Sequence, residues 1–281
     1  MDDVAVVADA IARHAVTLLV AASLVGLVVA RVAWHAIARY APAIRPVASR
    51  WWQRIDRRQH VARLLGLEGA VAFVLAAAAT FGFVQLVDAL DEEEELTHFD
   101  VALAEAFGRH LSDGTLAFFA RVTHLGDFEV LTVFGIVLTG VLLLRREWLL
   151  AVGLAVAALG TAALNEGLKL VFSRARPQFL HGLVEVHGYS FPSGHAAGSF
   201  AFYGFAAYLA ARCLPRRWHL PSAGIALLLV VFVGTSRVLL QVHYASDVLA
   251  GWLGAATWTA LCIMALESVR VRRANGRTNA N

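Results

Sequence analysis

Charged side chains are scarce in this sequence. They make up 16% of the 281 residues, whereas hydrophobic residues reach 59% and the mean hydropathy is +0.64. In ordinary soluble domains, about a quarter of all residues are charged. A soluble domain is therefore excluded, and we predict a polytopic membrane protein of the all-α class.

Cysteine is also nearly absent. Cys213 and Cys262 lie in or at the end of apolar runs without the spacing of a metal site, so we predict neither a disulfide framework nor a zinc centre. The acidic run at 91–95 is expected to be a solvated cap, because adjacent carboxylates point in different directions. No metal and no other cofactor is predicted.

Positive charge comes almost entirely from arginine. The net charge of +3 and the pI near 9.2 would fit nucleic-acid binding, but the arginines cluster beside apolar stretches, where they indicate membrane orientation. Nucleic acid is therefore not expected as a partner. Lys169 is the only lysine among the 24 basic residues.

Seven apolar stretches are long enough to cross a membrane. They cover residues 15–34, 64–90, 128–144, 148–172, 195–214, 221–240 and 243–269. The chain then divides into an N-terminal transmembrane helix with a basic interfacial connector (1–63), a six-helix core (64–268) and a basic tail (269–281) predicted to be disordered. A cleaved signal peptide fits poorly, because the N-terminus is acidic and its apolar part too long.

Arginine counts predict the orientation of these spans. Alternation places 35–63, 145–147, 212–217 and 270–281 on one side, and most of the arginines lie there. By the positive-inside rule that side is cytoplasmic, with the N-terminus outside and the C-terminus inside. Residues 97–124, with apolar positions at helical spacing, predict one or two amphipathic helices at the outer interface, where a lipid could enter.

Three polar clusters interrupt the apolar core. Lys169 is followed by Arg176 and Pro177, a second cluster is Pro-Ser-Gly-His at 192–195, and a third combines Ser236 and Arg237 with His243 and Asp247. The predicted topology places all three on the outer face. Alone, each has a simpler explanation: a cation anchoring a helix end, a turn, or a chance helical pair. Together they predict a phosphate pocket.

The residue types in these clusters suit phosphoryl transfer. Lys169, Arg176 and Arg237 offer three cations, and guanidinium groups match phosphoryl oxygens two by two. The backbone amides of residues 193–195 precede an apolar helix and would point at the same anion. The two histidines can divide the work, one attacking phosphorus and one protonating the leaving oxygen. The residues alone do not say which histidine does which.

These motifs and spacings resemble the three signature motifs of the type 2 phosphatidic acid phosphatase family. The resemblance covers about residues 64–268, and the segments THLGD and LNEGLK are similar to its bacterial branch. It implies a metal-free phosphohistidine mechanism. By motif position, His243 would be the nucleophile, Asp247 its orienting partner and His195 the general acid. The implied phosphate-binding residues are Lys169, Arg176, Ser193, Gly194 and Arg237. Vanadium haloperoxidases carry a similar motif set, but the seven apolar stretches argue against that class.

The function expected from this resemblance is hydrolysis of a lipid phosphate or diphosphate at the periplasmic face of a bacterial inner membrane. Polyprenyl diphosphate, phosphatidylglycerol phosphate, phosphatidic acid and a lipid A phosphate are the candidate substrates. A phosphotransferase using the same phosphoenzyme and a non-catalytic phospholipid carrier are the alternatives. His181, Glu185 and His187 lie in the loop 178–191 and either touch the substrate or are solvated.

Overall fold

The computed structural model describes residues 3–29, 31–32, 35, 39, 60–92, 94–177, 183–184 and 186–278. Within these ranges the chain forms α-helices, short 3-10 turns and loops, with no strand, which confirms the predicted all-α class. The helices are α1 (Asp3–Arg13), α2 (Ala15–Val29), α3 (His60–Glu92), α4 (Glu94–His110), α5 (Asp113–Val122), α6 (Phe128–Leu144), α7 (Trp148–Phe172), α8 (Gly194–Cys213), α9 (His219–Leu239) and α10 (Ala245–Thr278).

Several of these helices can cross a membrane. Four are long and apolar enough in the described ranges, and the number rises to six if each of two bent helix pairs counts as one span. The four lie in α3, α7, α9 and α10. The helix α8 falls outside this set although it has 20 residues. It packs against α7, α9 and α10, and its Ser199 and Tyr203 are buried there. The count of seven spans stays a prediction.

The N-terminal part folds back onto the bundle. The helices α1 and α2 meet at an angle of 75°, and α1 packs against α4 through Ala8, Ala12 and Phe107. The sequence analysis placed the first span at residues 15–34 and assigned no separate helix before it. Most of the basic interfacial connector lies outside the described residues.

One or two amphipathic helices were predicted between residues 97 and 124, and the structure has two there, α4 and α5. Ser112 caps α5, because its Oγ accepts a hydrogen bond from the Thr115 backbone N–H at 3.3 Å. The buried residues Leu103, Phe107 and Phe119 pack on the end of α9. These helices therefore cover one end of the bundle.

The C-terminal segment differs from the prediction. The tail was expected to be disordered from residue 269, but α10 continues to Thr278. Arginine and alanine favour helix and no proline interrupts the segment, so the helix extends beyond its apolar part.

The polar clusters meet at one end of the bundle, which we call the site end. It contains the C-terminal ends of α7 and α9 and the N-terminal ends of α8 and α10. The Ser193 backbone N–H donates to the Asp247 carbonyl at 2.9 Å, which joins the starts of α8 and α10.

Gly251 permits the close approach of α8 and α10 at this end. A Cβ at Gly251 would lie 2.6 Å from the Ser193 carbonyl oxygen and 3.1 Å from Ala196 Cβ. Backbone cannot move aside as a flexible side chain can. We expect Gly251→Ala to lower the free energy of unfolding by about 1–3 kcal/mol, measured by thermal unfolding of the detergent-solubilised protein.

Gly140→Ala is the matched control for this substitution. A Cβ at Gly140 meets nothing within 4 Å, so this change should leave stability unchanged or raise it by up to about 1 kcal/mol. Equal stability of the two variants would contradict the tight packing at Gly251.

Candidate active site

His243 lies in the turn between α9 and α10. Its backbone N–H donates to the Arg237 carbonyl at 3.2 Å, which folds the turn back on α9. The residue is buried, with 2% of its surface exposed. Its Nδ1 lies 3.4 Å from Asp247 Oδ2, and its Nε2 lies 3.0 Å from an Arg176 guanidinium nitrogen. The imidazole is thus held between an anion and a cation.

These two neighbours determine which ring nitrogen of His243 carries the proton. A guanidinium has only donors, so Nε2 must accept from Arg176 and offer its lone pair on that side. The proton then belongs on Nδ1, facing Asp247. Burial lowers the pKa of His243 to about 4, although Asp247 opposes the shift. His243 is therefore a neutral imidazole near pH 7 whose unprotonated Nε2 accepts a hydrogen bond from Arg176.

The Asp247 carboxylate is saturated with donors. Oδ2 accepts a short hydrogen bond from Ser190 Oγ and one from the Tyr244 backbone N–H at 2.8 Å. Oδ1 accepts from Arg174 at 2.8 Å. Because its other lone pairs are occupied, the carboxylate is fixed in place beside the imidazole.

Arg174 joins two buried acids, Asp247 and Asp100. Of these three residues, only Asp247 was predicted for the site. One of its nitrogens donates to Asp247, and the other donates to Asp100 Oδ2 of α4 at 2.9 Å. Asp100 also accepts from the backbone N–H and the side chain of Ser246. The spacing of Arg174, two residues before Arg176, was a signal for it, whereas nothing in the sequence pointed to Asp100.

Arg176 uses its guanidinium mainly to order the loop before α8. Its nitrogens donate to the carbonyls of His187, Gly188, Tyr189 and Val242 at 2.8–3.1 Å. Burial lowers its pKa from the usual value, but an arginine remains charged. The nitrogen that faces His243 also donates to the Val242 carbonyl, so this guanidinium links the loop before α8 to the turn that carries His243.

His195 begins α8, and an acid positions it. Its Nε2 lies 2.8 Å from Asp127 Oδ1, and the other carboxylate oxygen is 2.7 Å from His124 Nδ1. A carboxylate only accepts, so Nε2 of His195 carries a proton and Nδ1 is left for a partner other than Asp127. Asp127 was missed as a site residue, although it ends the THLGD segment that signalled the family.

Three further polar groups complete the cluster. Arg237 is 2% exposed and donates to Thr123 Oγ1 at 2.7 Å, while its Nε has no hydrogen-bond partner in the described part of the chain. Ser193 Oγ, fully buried, likewise lacks one there. Lys169 Nζ lies 2.8 Å from Glu166 and 3.8 Å from the position of a Cβ on Gly194. Buried donors are normally paired, so Arg237 Nε and Ser193 Oγ indicate a polar ligand.

The structure thus brings together every residue predicted for the site: Lys169, Arg176, Ser193, Gly194, His195, Arg237, His243 and Asp247. Of the loop candidates, His187 contributes its backbone carbonyl and has an exposed side chain, whereas His181 and Glu185 lie outside the described residues. No cluster of three or more His, Cys, Asp or Glu side chains suited to a metal occurs in the described residues.

The Arg174 network generates a stability prediction. Arg174→Met would leave the buried carboxylates of Asp100 and Asp247 without their shared cation. We expect a loss of about 3 kcal/mol or more in the free energy of unfolding, because an unpaired buried charge is costly. The control is Arg109→Met, which breaks an exposed contact of 3.5 Å with Asp9 and should cost less than about 1 kcal/mol. Similar losses in both variants would contradict the network's role.

Comparisons with known proteins agree with this geometry. Residues 148–269, which include all eight predicted site residues, match the model of the PAP2 superfamily. Phosphatidylglycerophosphatase B of Bacillus subtilis (strain 168) is 36% identical over 138 residues, which are 47% of this chain and 65% of that protein. The chain therefore spans slightly less than two thirds of this curated relative.

A solved structure shares the fold. It is described as the crystal structure of the first transmembrane PAP2 type phosphatidylglycerolphosphate phosphatase from Bacillus subtilis. The TM-score is 0.60 at 26% identity, over 72% of this chain and 96% of that chain. The apolar helices and this match identify a multi-pass membrane protein. By its motifs, its matched sequence and its fold, the part of the chain at residues 148–269 belongs to the PAP2 superfamily, the type 2 phosphatidic acid phosphatases.

Proposed function

We propose that this protein is a membrane phosphatase that hydrolyses a lipid phosphate through a phosphohistidine. One observation carries the proposal: a neutral His243 whose Nε2 lone pair faces an Arg176 donor, with a second, acid-bound histidine in the same cluster. A phosphoryl group bound by that guanidinium would lie directly beside the nucleophilic nitrogen.

In the first step, His243 Nε2 attacks phosphorus in line with the lipid oxygen. The P–N bond forms as the P–O bond to the lipid breaks, and His195, protonated on both ring nitrogens at this point, gives its Nδ1 proton to the departing oxygen while its Nε2 proton stays beside Asp127. The Nδ1 proton of His243 stays beside Asp247, which stabilises the positive charge that develops on the ring. The products of this step are the lipid alcohol and a phosphoenzyme.

In the second step, water attacks the phosphohistidine. His195 is neutral after the first step, and it takes a proton from the water as the water oxygen bonds to phosphorus. The P–N bond breaks, His243 recovers its lone pair, and inorganic phosphate leaves. Asp127 holds the ring of His195 through both steps and stabilises its protonated form.

The cations of the cluster stabilise the charge of the transition state. Lys169, Arg176 and Arg237 surround the position of the phosphoryl oxygens, and the first backbone amides of α8 point towards it. In this mechanism no divalent ion is needed, since the side chains already supply the positive charge.

The relatives point to phosphatidylglycerophosphate as the first candidate substrate. Both the curated relative and the solved structure carry names that describe phosphatases of this lipid. Phosphatidic acid, polyprenyl diphosphate and lipid A phosphate complete the panel. Transfer of the phosphoryl group to a second alcohol would use the same phosphoenzyme, whereas a carrier would bind the headgroup without chemistry.

The test of the proposal is a phosphate-release assay on the purified protein with these four lipids. The proposal predicts release of inorganic phosphate, fastest from phosphatidylglycerophosphate. Tight binding of these lipids without phosphate release would favour the carrier. Formation of a new phosphate ester in the presence of an added alcohol would favour the transferase.

The two histidines should respond differently to the leaving group. His243→Ala removes the covalent step and should abolish the single-turnover burst of nitrophenol from p-nitrophenyl phosphate. His195→Ala should retain this burst, since nitrophenolate leaves without protonation, but should slow lipid hydrolysis by about 10²-fold or more. Rapid-mixing absorbance measurements provide the check.

Asp247→Asn serves as the intermediate case. This variant keeps His243 but weakens the group that stabilises the positive charge on the ring. Its nitrophenol burst should therefore be slower than that of the wild type, whereas His243→Ala should show no burst. A burst that survives in His243→Ala and disappears in His195→Ala would show that the two roles are reversed.

Chelators should have no effect on the reaction. Phosphate release is expected to persist in excess EDTA at an unchanged rate, because cationic side chains replace a metal ion. Loss of activity with EDTA, restored by one specific divalent ion, would refute the metal-free mechanism.

The site end is proposed to face the periplasm. In a variant lacking Cys213 and Cys262, Leu183→Cys, exposed before α8, should react in intact cells with an impermeant maleimide. Arg217→Cys, exposed in the turn between α8 and α9, should react only after the membrane is opened. The reverse pattern would place the active site in the cytoplasm.

A further inference from the structure

A cavity of about 180 Å³ lies between α3 and α7, with α8 and α10 behind it. It adjoins the polar cluster around Lys169, Arg237 and His243, which we call the phosphate cluster. The described lining is mostly apolar and contains no charged side chain. Leu164 on its rim is 46% exposed, so the cavity opens on the outer surface of α7. This is the surface that lipid contacts when α7 crosses the membrane.

Two buried polar side chains on the α7 wall lack partners. Thr161 Oγ1 and Asn165 Oδ1 have no hydrogen bond in the described part of the chain, and these residues are 4% and 5% exposed. On the opposite wall, Thr80 Oγ1 bonds to the Ala76 carbonyl at 2.8 Å and lies 3.2 Å from Thr257 Oγ1. An unpaired buried polar group is costly, so the α7 wall indicates a ligand with polar atoms of its own.

The α7 wall continues from the phosphate cluster. A Cβ on Gly194 would lie 3.3 Å from Asn165 Nδ2 and 3.8 Å from Lys169 Nζ, so Asn165 borders the phosphate position. Thr161 is one helical turn further along, about 6 Å away. A ligand entering the cavity from the phosphate therefore meets two hydrogen-bonding groups first and apolar surface next.

A glycerol ester lipid has this order of groups. When its phosphate is attached to the acylated glycerol, the ester carbonyls follow within a few bonds and the acyl chains come after them. A polyprenyl chain offers no hydrogen-bond acceptor at these positions. An ester carbonyl accepts hydrogen bonds, the Thr161 hydroxyl donates one, and the amide of Asn165 donates when its nitrogen is turned towards the cavity.

Building on the proposed function, we infer that this cavity binds the ester-bearing glycerol and the first acyl carbons of phosphatidic acid, the lipid of the panel whose phosphate is attached to the acylated glycerol. Thr161 and Asn165 then donate hydrogen bonds to its ester carbonyls. These two residues determine the preference for the ester form of this lipid over its ether form. They touch the part of the lipid that does not react.

The test compares dioleoyl phosphatidic acid with its dialkyl ether analogue, which has the same phosphate but no carbonyl. The wild-type protein should prefer the ester by about tenfold in kcat/KM, the size of one or two neutral hydrogen bonds. Thr161→Val and Asn165→Ala should each reduce this preference to about twofold or less by slowing the ester lipid. Since both lipids are assayed on one preparation, the ratio does not depend on the folded fraction.

Thr259→Val is the matched control. Thr259 is also 4% exposed and also has an unpartnered Oγ1 within the described chain, but it does not line the cavity. It should keep the wild-type preference. Equal rates for ester and ether in the wild type, or equal slowing of both lipids by Thr161→Val, would overturn the inference.

A binding measurement separates this inference from the proposed function. The shift in Tm caused by each lipid in detergent micelles reports binding even when no phosphate is released. A larger shift for the ester than for the ether, lost in Thr161→Val, would support the subsite without any turnover. Equal shifts for both lipids would refute the subsite, whereas an absence of phosphate release from every lipid would refute the phosphatase.

Discussion

The site depends on holding one carboxylate, Asp247, ionised inside the protein next to an imidazole. A buried charge is tolerated only when it is paired and hydrogen bonded. Arg174, Ser190 and the Tyr244 backbone N–H meet this demand, which leaves Asp247 in position to orient the Nδ1 proton of His243. The position of His243 therefore follows from groups around Asp247 that do not contact the imidazole face next to Arg176.

The same demand links distant parts of the chain. Arg174 contacts Asp247 of α10 and Asp100 of α4, and α4 in turn packs against α1. The N-terminal helix and the amphipathic helices thus support the end of the bundle that carries the histidines. The cavity between α3 and α7 reaches the same end from the side.

The sequence predicted much of this arrangement and missed definite parts of it. Periodicity and apolar runs predicted the helical class, and the three motifs named all eight residues that the structure brings together. Asp127, Arg174 and Asp100 were missed because their roles arise from contacts between helices far apart in sequence, which spacing cannot show. The helical extension to Thr278 and the fold-back of α1 were missed because short polar or mixed segments carry weak signals. Orientation in the membrane rests on arginine counts alone.

The most direct measurement of the central claim is to trap the covalent intermediate. The His195→Ala variant would be mixed with p-nitrophenyl phosphate, quenched rapidly under alkaline conditions that preserve phosphohistidine, and digested for mass spectrometry. The mechanism predicts one phosphoryl group on the peptide containing His243, lost on treatment with acid. A phosphoryl group on another residue, or phosphate release with no phosphorylated peptide at any time, would contradict it.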